Sequence, residues 1–246
     1  MSCNNTDPII RNYVHIVDWE LRHRTAYNSC GYGTHGGTHN EEFNRTFHAR
    51  CGDAFLYIHI HTPADYILNW VGDIGVTVCK PGWHGFGRAF DLSQIRFTNG
   101  EFIDMNRDWR GTTCGGRGGN FKRRQYIGVW AALRRYAGTV LTGWYNVDHQ
   151  NHIHFDNGTA VGPIRTGAET DTKLVQATCN YLNGESLAID GAWGPLTEAA
   201  YGRLRTKLKM GCRNPKTNTA DALLFLHLIA QAGLKGLAAG AYTGPC

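Results

Sequence analysis

Eight cysteines stand singly along the chain, at Cys3, Cys30, Cys51, Cys79, Cys114, Cys179, Cys212 and Cys246, with no C-x-x-C pair among them. An even, scattered set argues against a thiolate metal cluster and for disulfides formed in an oxidising compartment. Spacing alone leaves their connectivity open. The first residues have neither the basic head nor the apolar core of a secretory signal. The most apolar stretch, Ala222 to Ala230, is interrupted by His227 and falls short of the roughly 20 apolar residues of a membrane span.

With 42% hydrophobic and 18% charged residues, wholesale disorder is excluded. The 31 glycines among 246 residues predict a loop-rich fold. A net charge of +5 suits an anionic polymer but is too weak for a dedicated nucleic-acid binder. Along the chain, Thr6-Asp7-Pro8 reads as a helix start, and Ile10, Tyr13, Val14, Val17 and Leu21 follow at helical spacing. Tyr27 to Gly52 reads as a long loop held by Cys30 and Cys51. Phe55 to His61 alternates like a strand, and Thr62-Pro63-Ala64-Asp65 opens a second helix through Tyr66, Ile67, Trp70 and Val71. Val76 to Cys79 reads as a short strand.

Ala89 to Thr98 and Glu101 to Met105, joined by Asn99-Gly100, predict a β-hairpin with a type I′ turn. Arg124 to Ala137 has a helical apolar stripe, and Thr139 to Trp144 and His152 to Phe155 read as strands. After a Gly- and Thr-rich stretch come helices over Thr172–Leu182, Leu196–Leu208 and Ala220–Leu234, the last nearly all apolar and closed by Cys212 and Cys246. The fold class is therefore α+β, a small antiparallel sheet with flanking helices followed by a small three-helix unit. The expected division is 1–160, a linker over 161–171, and 172–246.

Of twelve histidines, eleven precede residue 155. Two clusters stand out: His84-Gly-Phe-Gly-Arg-Ala-Phe-Asp91 and Asp148-His149-Gln-Asn-His152-Ile-His154-Phe-Asp156. On a strand His152 and His154 face one way while Ile153 and Phe155 face the core. Two imidazoles and a carboxylate suit a metal with a fourth position open to water. His59-Ile60-His61 has the same spacing, but no matching His/Asp set accompanies it. Arg88 and the run Lys122-Arg123-Arg124 are candidates for docking a substrate carboxylate, though a solvated helix start is the better reading of the run. Arg117, within Gly-Gly-Arg-Gly-Gly, reads as part of a flexible loop.

These motifs, with Asn99-Gly100 and the run from Gly143 to Asp156, resemble the extensin-like C-terminal family, which looks like a branch of the zinc D,D-peptidases. The signature is H-x(6)-D followed far downstream by H-x-x-H-x-H, and the resemblance spans roughly Asp65 to Asn157. It implies one zinc ion held by His84, Asp91 and His154, with His152 as base or transition-state stabiliser, His149 assisting and Asp148 substituting or orienting. One departure matters. Where relatives carry Asp or Glu three residues before the last zinc-binding His, this chain has Asn151.

Farther on, Asp190-Gly191-Ala-Trp193-Gly194-Pro195-Leu-Thr197-Glu198-Ala-Ala200 resembles the type 1 peptidoglycan-binding domain, which implicates Asp190 and Trp193 in substrate binding. Together the resemblances imply a zinc peptidase, endo- or carboxypeptidase, cleaving stem peptides of the bacterial cell wall. Such a protein acts outside the cytoplasm, in the periplasm or wall of its own or a target cell, as a lysin or injected effector. A monomer is expected, with peptidoglycan and a cognate inhibitor protein as candidate partners and no nucleic acid. The alternatives are a catalytically weak or inactive wall-binding protein, motivated by Asn151, and a metal-dependent nuclease, motivated by Val147-Asp148-His149.

Overall fold

The computed structural model describes residues 10–78, 82–111 and 118–246. In chain order the strands and helices are β1 (Ile10–Tyr13), β2 (His15–Ile16), β3 (Trp19–Tyr27), β4 (Gly33–Thr38), β5 (Glu41–Asn44), α1 (Arg45–His61), β6 (Leu68–Asp73), β7 (Ala89–Phe97) and β8 (Phe102–Asp104). They continue as α2 (Asn120–Arg134), β9 (Thr139–Leu141), β10 (Ile153–Asp156), α3 (Glu169–Asn183), α4 (Pro195–Lys207) and α5 (Thr219–Leu234). The class is α+β. The main sheet runs β2-β3-β6-β7-β10-β9, with β4 added to β3 and β8 to β7, while β1 pairs separately with β5. It is larger than the small antiparallel sheet expected, and β3 and β6 run parallel because α1 carries the chain back between them.

The first 75 residues depart most from the sequence reading. The expected first helix is instead β1, β2 and the start of β3, and Val17 sits at φ 57° in the tight turn that pairs Ile16 with Trp19. A β-branched residue in that conformation is incompatible with a helix interior. Phe55 to His61 is not a strand but the end of α1, whose buried stripe is Phe47, Cys51, Ala54, Phe55 and Ile58. Leu56 and Ile60 of the alternating run are 45% and 61% exposed. The side chain of Asn44 caps the helix by accepting from the Thr46 and Phe47 amides, as its residue type favours. Thr62 closes α1: its amide donates to the Ile58 carbonyl, and Pro63 follows. The expected second helix is therefore β6, with Leu68, Trp70 and Val71 buried.

From Ala89 onward the expected strands and helices are present. β7 and β8 form the hairpin, with Arg96 opposite Phe102. Its turn is not type I′, since Asn99 is not at positive φ and Gly100 alone is, at 88°. The Gly100 amide donates to Phe97 O and the Phe97 amide to Glu101 O, the three-residue loop that ends in a glycine bulge. Val76 to Val78 forms no strand. The Lys122-Arg123-Arg124 run is tied back to the fold, with Lys122 buried and Arg123 and Arg124 half-buried. Lys122 donates to Phe102 O at 2.5 Å, Arg123 to the Trp109 and Arg110 carbonyls, and Arg124 to Tyr181 O at 2.8 Å.

Cys212 and Cys246 form a disulfide. Cys30 is disulfide-bonded too, but not to Cys51, which is free and buried on the inner face of α1, as Cys179 is within α3. The expected Cys30–Cys51 staple is thus absent. The helix start at Thr6-Asp7-Pro8, Cys3, Cys79, Cys114 and Arg117 lie outside the described residues. No helix among the described residues is long and apolar enough to cross a membrane.

Helix α5 lies along α2, and their axes approach closely at Gly128 and Gly233. A Cβ built on Gly128 would stand 2.3 Å from the Leu234 amide nitrogen. That neighbour is backbone, which cannot swing aside. Gly128→Ala is expected to destabilise the fold by about 1–3 kcal/mol or more, read as a fall of several degrees in thermal midpoint by circular dichroism. An unchanged midpoint would show that the two helices separate freely.

Candidate metal centre

Strands β7 and β10 pair antiparallel with Asp91 directly opposite His154. On either side of these two positions, Phe90, Leu92, Ile153 and Phe155 point into the core. The Phe90 and Phe155 rings stack at 5.4 Å, and Phe55 and Phe47 of α1 pack on them at 5.9 and 5.8 Å. This aromatic layer is a stiff base for the two polar side chains on the other face. The third group, His84, comes from a short 3-10 turn over Trp83–Phe86. That turn ends at Gly87, φ 60°, where a Cβ would stand 2.7 Å from the Asn44 amide nitrogen. Glycine is required there for both reasons.

The three groups converge. His154 Nδ1 is 2.9 Å from Asp91 Oδ1, His84 Nε2 is 3.1 Å from the same oxygen, and the two ring nitrogens are 3.1 Å apart. Ligands about 2.0–2.2 Å from a tetrahedral zinc ion stand roughly 3.3–3.5 Å from one another, so the cluster needs to open by only a few tenths of an ångström to receive the ion. His84 Nδ1 donates to Val76 O at 2.7 Å, which leaves Nε2 with its lone pair toward the cluster. Backbone carbonyls commonly fix the tautomer of a metal-ligating imidazole in this way.

Charge in the site has one sense. Burial opposes ionisation of Asp91, but its close contacts with His154 and His84 outweigh it and hold the carboxyl far below the usual range. For His154 burial again opposes charge, while Asp156, at 3.2 Å from Nε2, and Asp91 raise it to about 9. Two nearly buried carboxylates thus demand a positive partner, either a proton on His154 or a cation between the donors. The donor set fits a divalent ion.

His152 stands beside them, with Nε2 3.4 Å from Asp91 Oδ1. Its Nδ1 donates to Asn151 Oδ1 at 2.7 Å, so Asn151 orients the ring and Nε2 carries the free lone pair. Burial, more than any neighbour, pushes His152 down to about 4; it is a neutral imidazole at pH 7. His149 flanks both, its ring 5.1 Å from that of His152 and 5.9 Å from that of His154, with Nδ1 held by Asn146 Oδ1 at 2.6 Å. Asp148 is exposed on the same turn and makes no hydrogen bond or ion pair among the described residues. The Nε of Arg88 donates to Asn157 Oδ1 at 2.8 Å, and its guanidinium lies 4.6 Å over the exposed Trp83 ring.

The other candidates are elsewhere. His59 accepts from the Leu68 amide and His61 packs on Tyr57 and His227; two residues apart on a helix, they face different ways. Asp190 Oδ1 accepts from Gln176 Nε2 and the Ala192 amide, closing the turn before α4, while Trp193 Nε1 donates to Glu198. The role of Asp156 escaped the sequence reading; its signal was the His154-x-Asp156 spacing, which sets both on one face of β10.

No curated protein and no solved structure matches the chain. The segment that carries all three converging donors, together with His149 and His152, is residues 77–166, and it matches the family model described as extensin-like protein C-terminus.

Proposed function

We propose that the chain is a zinc-dependent peptidoglycan peptidase of the D,D type, cleaving stem peptides of the bacterial cell wall. The observation that carries this reading is the convergence of His84, Asp91 and His154 within hydrogen-bonding distance of one another, with the neutral Nε2 of His152 beside them. Zinc held by those three residues supplies Lewis-acid polarisation of a peptide carbonyl and an acidified water. His152 accepts the proton at Nε2 and returns it to the leaving amine, a task suited to an imidazole that is uncharged at neutral pH. Asn151 takes no proton; it holds the ring from the Nδ1 side. His149 lines the approach, and in this reading Arg88 pairs with a carboxylate of the stem peptide.

Residues 172–246 serve in this reading as a wall-docking unit that raises the local concentration of an insoluble substrate. A cleft there is lined by Gln176, Leu187, Asp190, Pro195, Leu196 and Thr197. Leu196 is 78% exposed at this cleft. The Cys212–Cys246 disulfide supports action outside the cytoplasm.

Mass spectrometry of purified sacculi digested with and without a chelator tests the proposal. New muropeptides with a cut stem peptide are expected, absent after chelation and restored by zinc. Binding to sacculi with no released fragment would replace this reading with that of an inactive wall-binding protein, and metal-dependent plasmid nicking would replace it with a nuclease.

A further inference from the structure

A second set of metal-ligating side chains lies at the end of the parallel pair β3–β6. His23 stands opposite Asp73 in register, with its Nδ1 2.8 Å from Asp73 Oδ1. His39 enters from the link between β4 and β5 and Glu41 from the first position of β5, His39 Nε2 lying 3.0 Å from Glu41 Oε1. The two imidazoles are 5.0 Å apart, and one donor atom from each of the four residues lies within 4.8 Å of the others. Asp73 is fully buried and its Oδ2 has no hydrogen-bond partner among the described residues. Glu41 is buried as well, and the ion pairs of both carboxylates among the described residues are with these histidines, not with Lys or Arg.

An orphaned carboxylate oxygen facing a second carboxylate and two imidazoles is a costly arrangement for a fold to keep. A divalent ion resolves it: two carboxylates, two neutral imidazoles and one dication sum to zero charge. We propose that His23, His39, Glu41 and Asp73 form a second metal site, for a divalent transition-metal ion such as Zn2+, distinct from the His84 site. The two lie on opposite faces of the sheet. Asp73 pairs with Leu92 and so shares its face, whereas Asp91, the residue before Leu92 in β7, points to the other side. Four protein donors complete a tetrahedral set and leave no position for substrate, the pattern of a structural site. The ion would clip β3, β6 and the start of β5 together, just ahead of the Asn44 cap of α1. The partly exposed His23 and His39 give it access from solvent.

Elemental analysis of the full chain, loaded with zinc and dialysed, tests the site without reference to activity. Two ions per chain are expected in the wild type and one in a His84→Ala/His154→Ala variant. That remaining ion is expected to be lost on adding Asp73→Asn and His39→Gln. Cobalt bound to the His84→Ala/His154→Ala variant should show the intense visible absorption of a four-coordinate site, and chelation should lower its thermal midpoint. Should the four-fold variant fail to fold, the cobalt spectrum of the doubly substituted chain still decides. A folded His84→Ala/His154→Ala protein with no bound metal and no cobalt band would overturn the proposal while leaving the peptidase reading untouched.

Discussion

If the proposed peptidase reading holds, His154→Ala is expected to lose the ion held with His84 and Asp91 and to lower kcat/KM for muropeptide cleavage by about three orders of magnitude or more. The magnitude follows from what is removed. Metal polarisation of a carbonyl contributes several kcal/mol to the transition state, and each 1.36 kcal/mol is tenfold in rate. His84→Ala should behave alike, because both ring nitrogens stand about equally close to Asp91 Oδ1, at 2.9 and 3.1 Å. Asp156→Asn should be milder, about 10–100-fold, since it touches only the far nitrogen of His154 and acts through ligand orientation and basicity. Fragment release measured with metal content on the same samples separates these cases. A His154→Ala protein that keeps wild-type kcat/KM would remove the metal from the chemistry altogether.

The parts of this fold that can be read from sequence are those built by neighbours in the chain. The β7–β8 hairpin depends on three loop residues, and α2 on a stripe, Tyr126, Ile127, Trp130 and Leu133, buried in full. The N-terminal third is different because its elements exist by distant pairing. β1 is a strand because Ile10 meets Asn44 and Tyr13 meets Glu41, and β3 because Leu21 meets Val71 across the whole of α1. No local period reports such partners, and the apolar residues of β1 to β3 happened to fall at helical intervals. In α1 the apolar residues that mislead, Leu56 and Ile60, are on the solvent side.

The same distinction governs the sites. His84 and Asp91 are joined by a short turn, and His152 and His154 by one strand, so spacing exposes them as groups. What spacing does not carry is the β7–β10 register that sets Asp91 against His154, or the fixing of His84 by a backbone carbonyl, Val76 O. His23 and Asp73 are 50 positions apart and meet only through the β3–β6 register. His39 and Glu41 fall in a stretch whose glycines read as loop.

The largest loss of stability from a single polar substitution is expected at Asp171. Arg134, at the end of α2, forks onto it with Nε 2.8 Å from Oδ1 and Nη2 3.0 Å from Oδ2, both side chains almost wholly buried. Arg165 adds its backbone amide at 2.9 Å and its Nε at 3.0 Å to Oδ2. Asp171→Asn keeps the shape but leaves the Arg134 cation buried without its counter-charge, which costs about 3–5 kcal/mol. In a chain of this length each kcal/mol is worth about 2–4 °C in Tm, so a fall of roughly 6–20 °C is expected by calorimetry. The effect should depend on pH with a definite sign. Burial opposes the Asp171 charge, but Arg134 and Arg165 outweigh it and hold its carboxyl below the ordinary value. A depressed folded value means the stabilisation is complete above about pH 4 and drains away as pH falls through the folded value. The gap between wild type and Asp171→Asn should therefore be constant near neutrality and close in acid. Replacing both partners, Arg134→Met with Asp171→Leu, should recover most of the loss, because the penalty belongs to the stranded charge rather than to the missing pair. If the double variant is as unstable as Asp171→Asn, then Arg165 and the carbonyl of Pro163, which Arg134 also reaches, hold α2 to α3, and the buried pair does not.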